Sequence, residues 1–280
     1  MIRNKKILIT GGLGFVGSNL ASNLSAKNEV TILDNNIFRR QPDLSSQIEI
    51  IKKSTYSLST ESAVFDLIFH LGEYSRVEQS FSDVEIVLKN NIIATNEVIK
   101  YVMRTGAKLI YAGSSTKFAD MRYSSPYSIT KKYNAEMISI LNDMSSIDAA
   151  ITYFFNVYGP GENDDEKYGT VIGKFLRRYQ ENKPLEVTAP GHQERNFTHV
   201  NDIVSGLNLV ALKGKGDNYQ IGNPKKYKII DVAKMISDNI ILKDSAPGNR
   251  LDAPQDLTKI KSLGWQPEIN LMNYIAQVKC

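Results

Sequence analysis

KILITGGLGFVG, residues 6–17, is an apolar run that breaks into glycines at 11, 12, 14 and 17, and Leu20 and Leu24 then continue with helical spacing. Strand, glycine turn and helix in that order form the opening unit of a dinucleotide-binding βαβ motif. The glycines serve a tight turn, the approach of the backbone to a pyrophosphate, and close packing of helix on strand. The helix N-terminus offers its free N–H groups to phosphate. The following strand, EVTIL at 29–33, ends at Asp34, 23 residues after Gly11. A carboxylate there accepts hydrogen bonds from the adenosine ribose and repels a 2′-phosphate, so the reading is NAD. Arg39 and Arg40 follow closely and would favour NADP, which keeps that alternative open.

Outward from this unit, strand and helix alternate through the first 155 residues, the pattern of a parallel sheet with crossover helices. Strands are predicted at Lys6–Thr10, Glu29–Leu33, Ile48–Ile51, Asp66–His70, Lys108–Ala112 and Ala149–Phe155. Several are unbroken apolar runs, as a sheet covered on both faces requires. Apolar residues at 84, 88, 92, 99 and 103 predict one helix from Val84 to Met103, with Ser82 or Asp83 as its cap and Gly106 past its end. Pro126 opens another, running to about Met144. After residue 156, Gly and Pro break the chain into short pieces. The expected architecture is α/β: a doubly wound Rossmann sheet over 1–155 and a smaller irregular lobe over 156–280. Segments near 193–222, Phe197–Val200 and Tyr219–Ile221 among them, are candidates to return to the large sheet.

The 280 residues are 42% hydrophobic and 23% charged, enough for a sizeable core. The net charge is +4, and the basic clusters are pairs such as Lys52-Lys53, so nucleic acid is not expected as a partner. Cys280 stands alone, and His70, His192 and His199 lack ligand spacing, so neither a disulfide nor a metal site is expected. No stretch approaches 18 apolar residues and no signal peptide opens the chain; a cytoplasmic protein is expected, off the membrane.

Tyr127-Ser-Ile-Thr-Lys131 opens the helix after Pro126, and positions i and i+4 share a face, so phenol and ammonium address one site. An ammonium nearby favours phenolate, a general base near neutral pH. The spacing alone is weak evidence, since about one YxxxK is expected by chance in such a composition. A second one, Tyr179–Lys183, runs into Pro184 and reads as a surface helix end. Tyr127 differs because the strand ending Gly113-Ser114-Ser115-Thr116 lies 13 residues upstream, at the sheet edge where ligands bind.

Together these residues resemble the extended short-chain dehydrogenase/reductase family, the nucleotide-sugar epimerases and dehydratases. The likeness runs from TGGLGFVGSNL (10–20) through LDNN (33–36), HLGEYSRVEQS (70–80), NNIIATNEV (90–98), SSPYSITK (124–131), FFNVYGPG (154–161) and RNFTHVNDI (195–203) to LGWQP (263–267). It implies NAD as cofactor, a nucleoside-diphosphate sugar as substrate, and commonly a homodimer whose helices from Val84 and Tyr127 pair with their mates. It also implies roles for single residues. Gly11, Gly14, Phe15 and Val16 would hold the pyrophosphate, Asp34 and Asn35 the adenosine, with Leu71, Gly72 and Asn91 lining the cofactor. Lys131 would bond the nicotinamide ribose and lower the pKa of Tyr127, and Ser114 would bond the reacting hydroxyl. Asn156 and Arg195 would contact the diphosphate, with Arg250 a weaker candidate.

Several positions depart from the family pattern. Gly72-Glu73 stands for Ala-Ala, Lys117-Phe118-Ala119 for Val-Tyr-Gly, Asn196 for Asp, and Ser54-Thr55 where an Asp usually follows the third strand, whose crossover looks truncated. Dehydratases of the family carry Asp-Glu after the Ser/Thr, where this chain has Ser115-Thr116. Neither hydroxyl replaces a carboxyl group. Glu73 is the one candidate to do so. The resulting expectation is 4-epimerisation through a transient ketone. Alternatives are a ketoreductase, a 4,6-dehydratase, or a non-catalytic NAD-binding module on the same fold.

Overall fold

The structure is a computed structural model describing residues 1–38, 40–118, 124–244 and 254–279. The strands are β1 (Lys6–Thr10), β2 (Glu29–Leu33), β3 (Glu49–Ile51), β4 (Leu67–His70), β5 (Lys108–Ser114), β6 (Ala149–Phe154), β7 (Val157–Tyr158), β8 (Leu185–Thr188), β9 (Glu194–Asn196), β10 (Thr198–His199), β11 (Gly216–Ile221), β12 (Lys226–Lys228) and β13 (Ile240–Lys243). The helices are α1 (Phe15–Ser25), α2 (Val84–Val87), α3 (Ala94–Thr105), α4 (Pro126–Asp143), α5 (Val171–Gln180), α6 (Val200–Lys213), α7 (Ile229–Ile236), α8 (Thr258–Ser262) and α9 (Leu271–Lys279).

Seven strands form one parallel sheet in the order β11-β6-β5-β4-β1-β2-β3. This is the doubly wound order, and its direction reverses between β1 and β4. Period-two alternation sends neighbouring side chains of β1 to opposite layers. Ile7 and Ile9 join Leu20, Leu24, Ile203 and Leu207 of α1 and α6, while Leu8 joins Val98, Val102, Ala135 and Ile138 of α3 and α4. Both faces are thus covered, which is why these strands read as continuous apolar runs. A third apolar cluster, including Tyr158, Phe175, Val187, Val232 and Leu271, draws only on residues beyond 156.

The local signals act as their chemistry requires. Ser125 and Ser128 close a reciprocal capping box at the start of α4, with Pro126 in the first turn. Gly106 ends α3 at φ 71°. Two features differ from the sequence reading. The helix from Val84 is interrupted by a π-helical stretch over Leu88–Ile93 that separates α2 from α3. Asp83 precedes it without capping it; its carboxylate accepts from the Tyr74 hydroxyl at 2.7 Å instead. Between β3 and β4 the crossover shrinks to a 3-10 turn over Thr55–Thr60, in line with the truncation read from the sequence.

Of the two candidate return segments, Tyr219–Ile221 lies in β11 and extends the large sheet beside β6. Phe197–Val200 does not: Thr198 and His199 form a separate two-stranded ladder with β7. β11 already occupies the open edge of β6, and Asn156, at φ 38°, turns the chain away after it. Among the described residues, no helix is long and apolar enough to cross a membrane.

Candidate active site

A cavity of about 600 Å³ opens over the carboxyl ends of β1 and β4, where an open α/β sheet binds ligands. Gly11, Gly14, Phe15, Val16, Asp34 and Asn35 line one end. Leu71, Gly72, Ser114, Tyr127, Lys131 and Asn156 line the rest, so the structure gathers these predicted residues around one space.

The glycine turn is steric in origin. Gly11 has φ 69°, and a Cβ there would lie 2.6 Å from the Gly72 Cα. The β1 and β4 ends therefore approach backbone to backbone, which accounts for glycine at both positions. Asp34 accepts from the N–H groups of Leu13 at 2.9 Å and Asn36 at 2.7 Å, which leaves it lone pairs for further donors. Burial pushes its carboxyl up from the ordinary value, and those two N–H groups pull it back. A glycine cradle with no room for side chains, leading to an acid at the end of β2, fits the pyrophosphate and ribose of NAD. Arg40 lines the same cavity and donates to the Gly161 carbonyl; Arg39 lies outside the described residues.

The reaction end is built on β5 and α4. Tyr127 and Ser114 are each 8% exposed, and the Thr116 hydroxyl donates to the Ser114 Oγ at 2.9 Å. Tyr179, in the other YxxxK, sits half-exposed near the end of α5, away from the cavity lining.

Lys131 is where the structure adds most. Its ammonium donates to the Glu73 carboxylate and the Ala112 carbonyl. Glu73 also accepts from Tyr111 (2.9 Å), Thr95 (2.7 Å) and Asn134 (2.6 Å), and its side chain is 1% exposed. His70 extends this buried set by bonding Thr10 at 2.6 Å and Thr95 at 2.9 Å. Burial pushes its imidazole down to about 4, so it is neutral. The departure at Glu73 is therefore a buried anion that anchors the lysine of the YxxxK pair.

Two sequence candidates are placed differently, and a third falls outside the described residues. Asn91 is fully buried beneath the cavity, accepting from the Tyr74 N–H at 2.7 Å and donating to Thr130 at 3.0 Å. The π-helical stretch turns its neighbour Asn90 to the cavity instead, where it accepts from Asn35 at 3.1 Å. Arg195 lies in β9, paired with β12, and is absent from the lining; Asn156 and Phe197 provide that wall. Arg250 lies outside the described residues. Sequence reasoning missed Asn90 and Arg76. For Arg76 a signal existed, a lone cation inside HLGEYSRVEQS directly after the fourth strand.

Comparison with known proteins follows the same outline. The NAD dependent epimerase/dehydratase family matches residues 7–222. UDP-glucuronic acid decarboxylase 6 of Arabidopsis thaliana is 27% identical, over 96% of this chain and 86% of its own length. The UDP-N-acetylglucosamine 4-epimerase structure from Methanobrevibacter ruminantium M1 superposes with a TM-score of 0.89 at 23% identity, covering 99% of this chain and 97% of that one. The UDP-glucose 4-epimerase structure from Thermus thermophilus gives 0.87 at 18%, covering 96% of each chain. At these identities the superpositions establish the fold.

Proposed function

The chain belongs to the NAD-dependent epimerase/dehydratase family, within the extended short-chain dehydrogenases/reductases, and from this we propose that it is a nucleoside-diphosphate-sugar 4-epimerase working as a homodimer. NAD, when bound, supplies the acceptor and donor of hydride. Tyr127 takes the proton of the sugar hydroxyl as it is oxidised and returns one when the ketone is reduced. Ser114 holds that hydroxyl, and Asn156 faces the substrate's diphosphate. Lys131, held by Glu73, keeps a positive charge beside the reaction end of the cavity.

One observation carries the choice of reaction. Elimination of water needs a carboxyl group free to move a proton, and among the described residues lining the cavity the carboxylates are Asp34 and Glu73. Asp34 sits at the adenosine end. Glu73, the one candidate near Tyr127, is sealed by four partners and 1% exposed. Simple hydride chemistry remains. Net reduction by a ketoreductase is less favoured because LDNN at 33–36 is similar to the 4-epimerases.

Proton NMR of a nucleotide-sugar panel incubated with the enzyme and NAD tests this. Inversion at carbon 4 with carbon 6 retained is the expected result. A 4-keto-6-deoxy product, or a pentose lacking carbon 6 as a decarboxylase would release, refutes it.

A further inference from the structure

Arg76 follows β4 and lines the cavity beside Tyr127. Its Nη1 reaches only the carbonyl and hydroxyl of the adjacent Ser75, both at 3.3 Å, and its Nε is buried with no hydrogen-bond partner. Among the described residues it forms no ion pair. A guanidinium nitrogen in that state destabilises the fold, because it has left water without gaining a hydrogen-bond acceptor. Such residues are retained where a ligand completes them.

Among the described residues, the carboxylates that line the cavity are held elsewhere. Asp34 is held by the N–H groups of Leu13 and Asn36, and Glu73 by Lys131 and its neighbours. Asp165 attracts Arg76 electrostatically without forming an ion pair or hydrogen bond with it, and its Oδ1 accepts from the N–H groups of Lys167 and Tyr168, at 2.8 and 2.6 Å. Among the described residues, none but Ser75 offers the guanidinium an acceptor, so a bound ligand is placed to supply one. The cofactor's pyrophosphate belongs at the glycine turn, on the N-terminus of α1. Arg76 instead neighbours Tyr127, at the end where a sugar hydroxyl reacts. An anion there is one carried on the sugar ring, close to the reacting carbon, and a planar guanidinium fork matches a planar carboxylate.

We propose that Arg76 reads a carboxylate on the sugar, and that the substrate of this site is a nucleoside-diphosphate hexuronate rather than a neutral hexose. This rests on the nucleotide-sugar reading above. Burial holds the guanidinium below the ordinary arginine value, against the pull of Tyr127 and Asp165; a bound carboxylate would restore it.

The test is calorimetric titration of the NAD-loaded full chain with UDP-glucose against UDP-glucuronic acid, UDP-galactose against UDP-galacturonic acid, GDP-mannose against GDP-mannuronic acid, and each nucleoside diphosphate alone. In one pair the wild type should bind the acid at least about 10-fold tighter than the neutral sugar, the range for a charged hydrogen bond. Arg76→Met should erase that ratio while the neutral sugar and bare nucleotide bind as before, and Arg76→Lys should keep part of it. Equal wild-type affinity for acid and neutral sugar overturns the proposal, whatever the variants do. So does Arg76→Met weakening both sugars and the bare nucleotide alike, which would put the guanidinium on the diphosphate. Weakened NAD retention in that variant would put it on the cofactor and overturn the proposal equally. Failure of every nucleotide sugar to bind the NAD-loaded protein would instead overturn the reading beneath it as well.

Discussion

Tyr127 and Glu73 are the residues on which the proposed chemistry turns, and they make separable predictions. Loss of the Tyr127 hydroxyl removes the proposed proton carrier without touching the glycine cradle. Tyr127→Phe should thus retain NAD while turnover falls at least about 100-fold. Tyr179→Phe, at an exposed helix end, should leave turnover nearly unchanged. Steady-state rates on the substrate identified by NMR, with NAD content read by absorbance, check both. Equal losses in the two variants would defeat the choice between the YxxxK pairs. Glu73 acts through another residue, as a positioning group for Lys131. Glu73→Leu strands a buried ammonium and should destabilise the fold by about 3–5 kcal/mol in urea unfolding. A loss below about 1 kcal/mol would show that Lys131 finds another partner. The identity of these residues was legible in the sequence, but their relation was not. Glu73 and Lys131 lie 58 positions apart, and only the adjacency of β4, β5 and α4 brings them together.

Elements explain where local signals suffice and where they do not. Caps and strand ends were legible because they depend on residues a few positions apart, as at Ser125, Pro126 and Gly106. The π-helical stretch at Leu88–Ile93 was not, because its period is set by what the helix packs on. There it turns Asn91 to the Tyr74 backbone and Asn90 to the cavity. The start of α5 carries a pH dependence of the same tertiary origin. Glu162 is half-buried before this helix and accepts from the hydroxyl of its cap, Thr170, and desolvation pushes its carboxyl up to about 7. A raised carboxyl stabilises the fold fully below its unfolded value, near 4.5, and that contribution is lost as pH rises through about 7. Wild type and Glu162→Gln should melt alike at pH 5. At pH 8 the variant should be more stable, by on the order of 2 kcal/mol. Melting curves across that range decide it, and parallel curves would refute the shift.

At the scale of the whole molecule, the described residues leave a large apolar feature uncovered along α4. Ile129, Tyr133, Ile140 and Met144, spaced four, seven and four apart along one side of α4 and its end, are each at least half exposed, and Ile93 is 53% exposed on the neighbouring helical segment. A second copy pairing these helices would cover them, as the proposed homodimer requires. Sedimentation should give a dimer near 63 kDa from the 31.4 kDa chain, and Ile129→Lys with Ile140→Lys should give a folded monomer; a monomeric wild type would end the proposal. By itself the sequence determined the doubly wound sheet and the cofactor, and it pointed to Tyr127, Lys131 and Ser114 as the proposed reacting residues. Each is written in short-range spacing: apolar runs, glycines within one turn, an acid at a strand end, a tyrosine and a lysine on one helix face. Only the tertiary structure decided that Glu73 holds Lys131, that Asn90 rather than Asn91 meets the cavity, and that the Arg76 Nε is buried there without a hydrogen-bond partner. It also separated β10 from the large sheet that β11 joins. These are outcomes of burial and of which distant segments become neighbours, and a charge or an edge strand finds its partner only after the chain has packed.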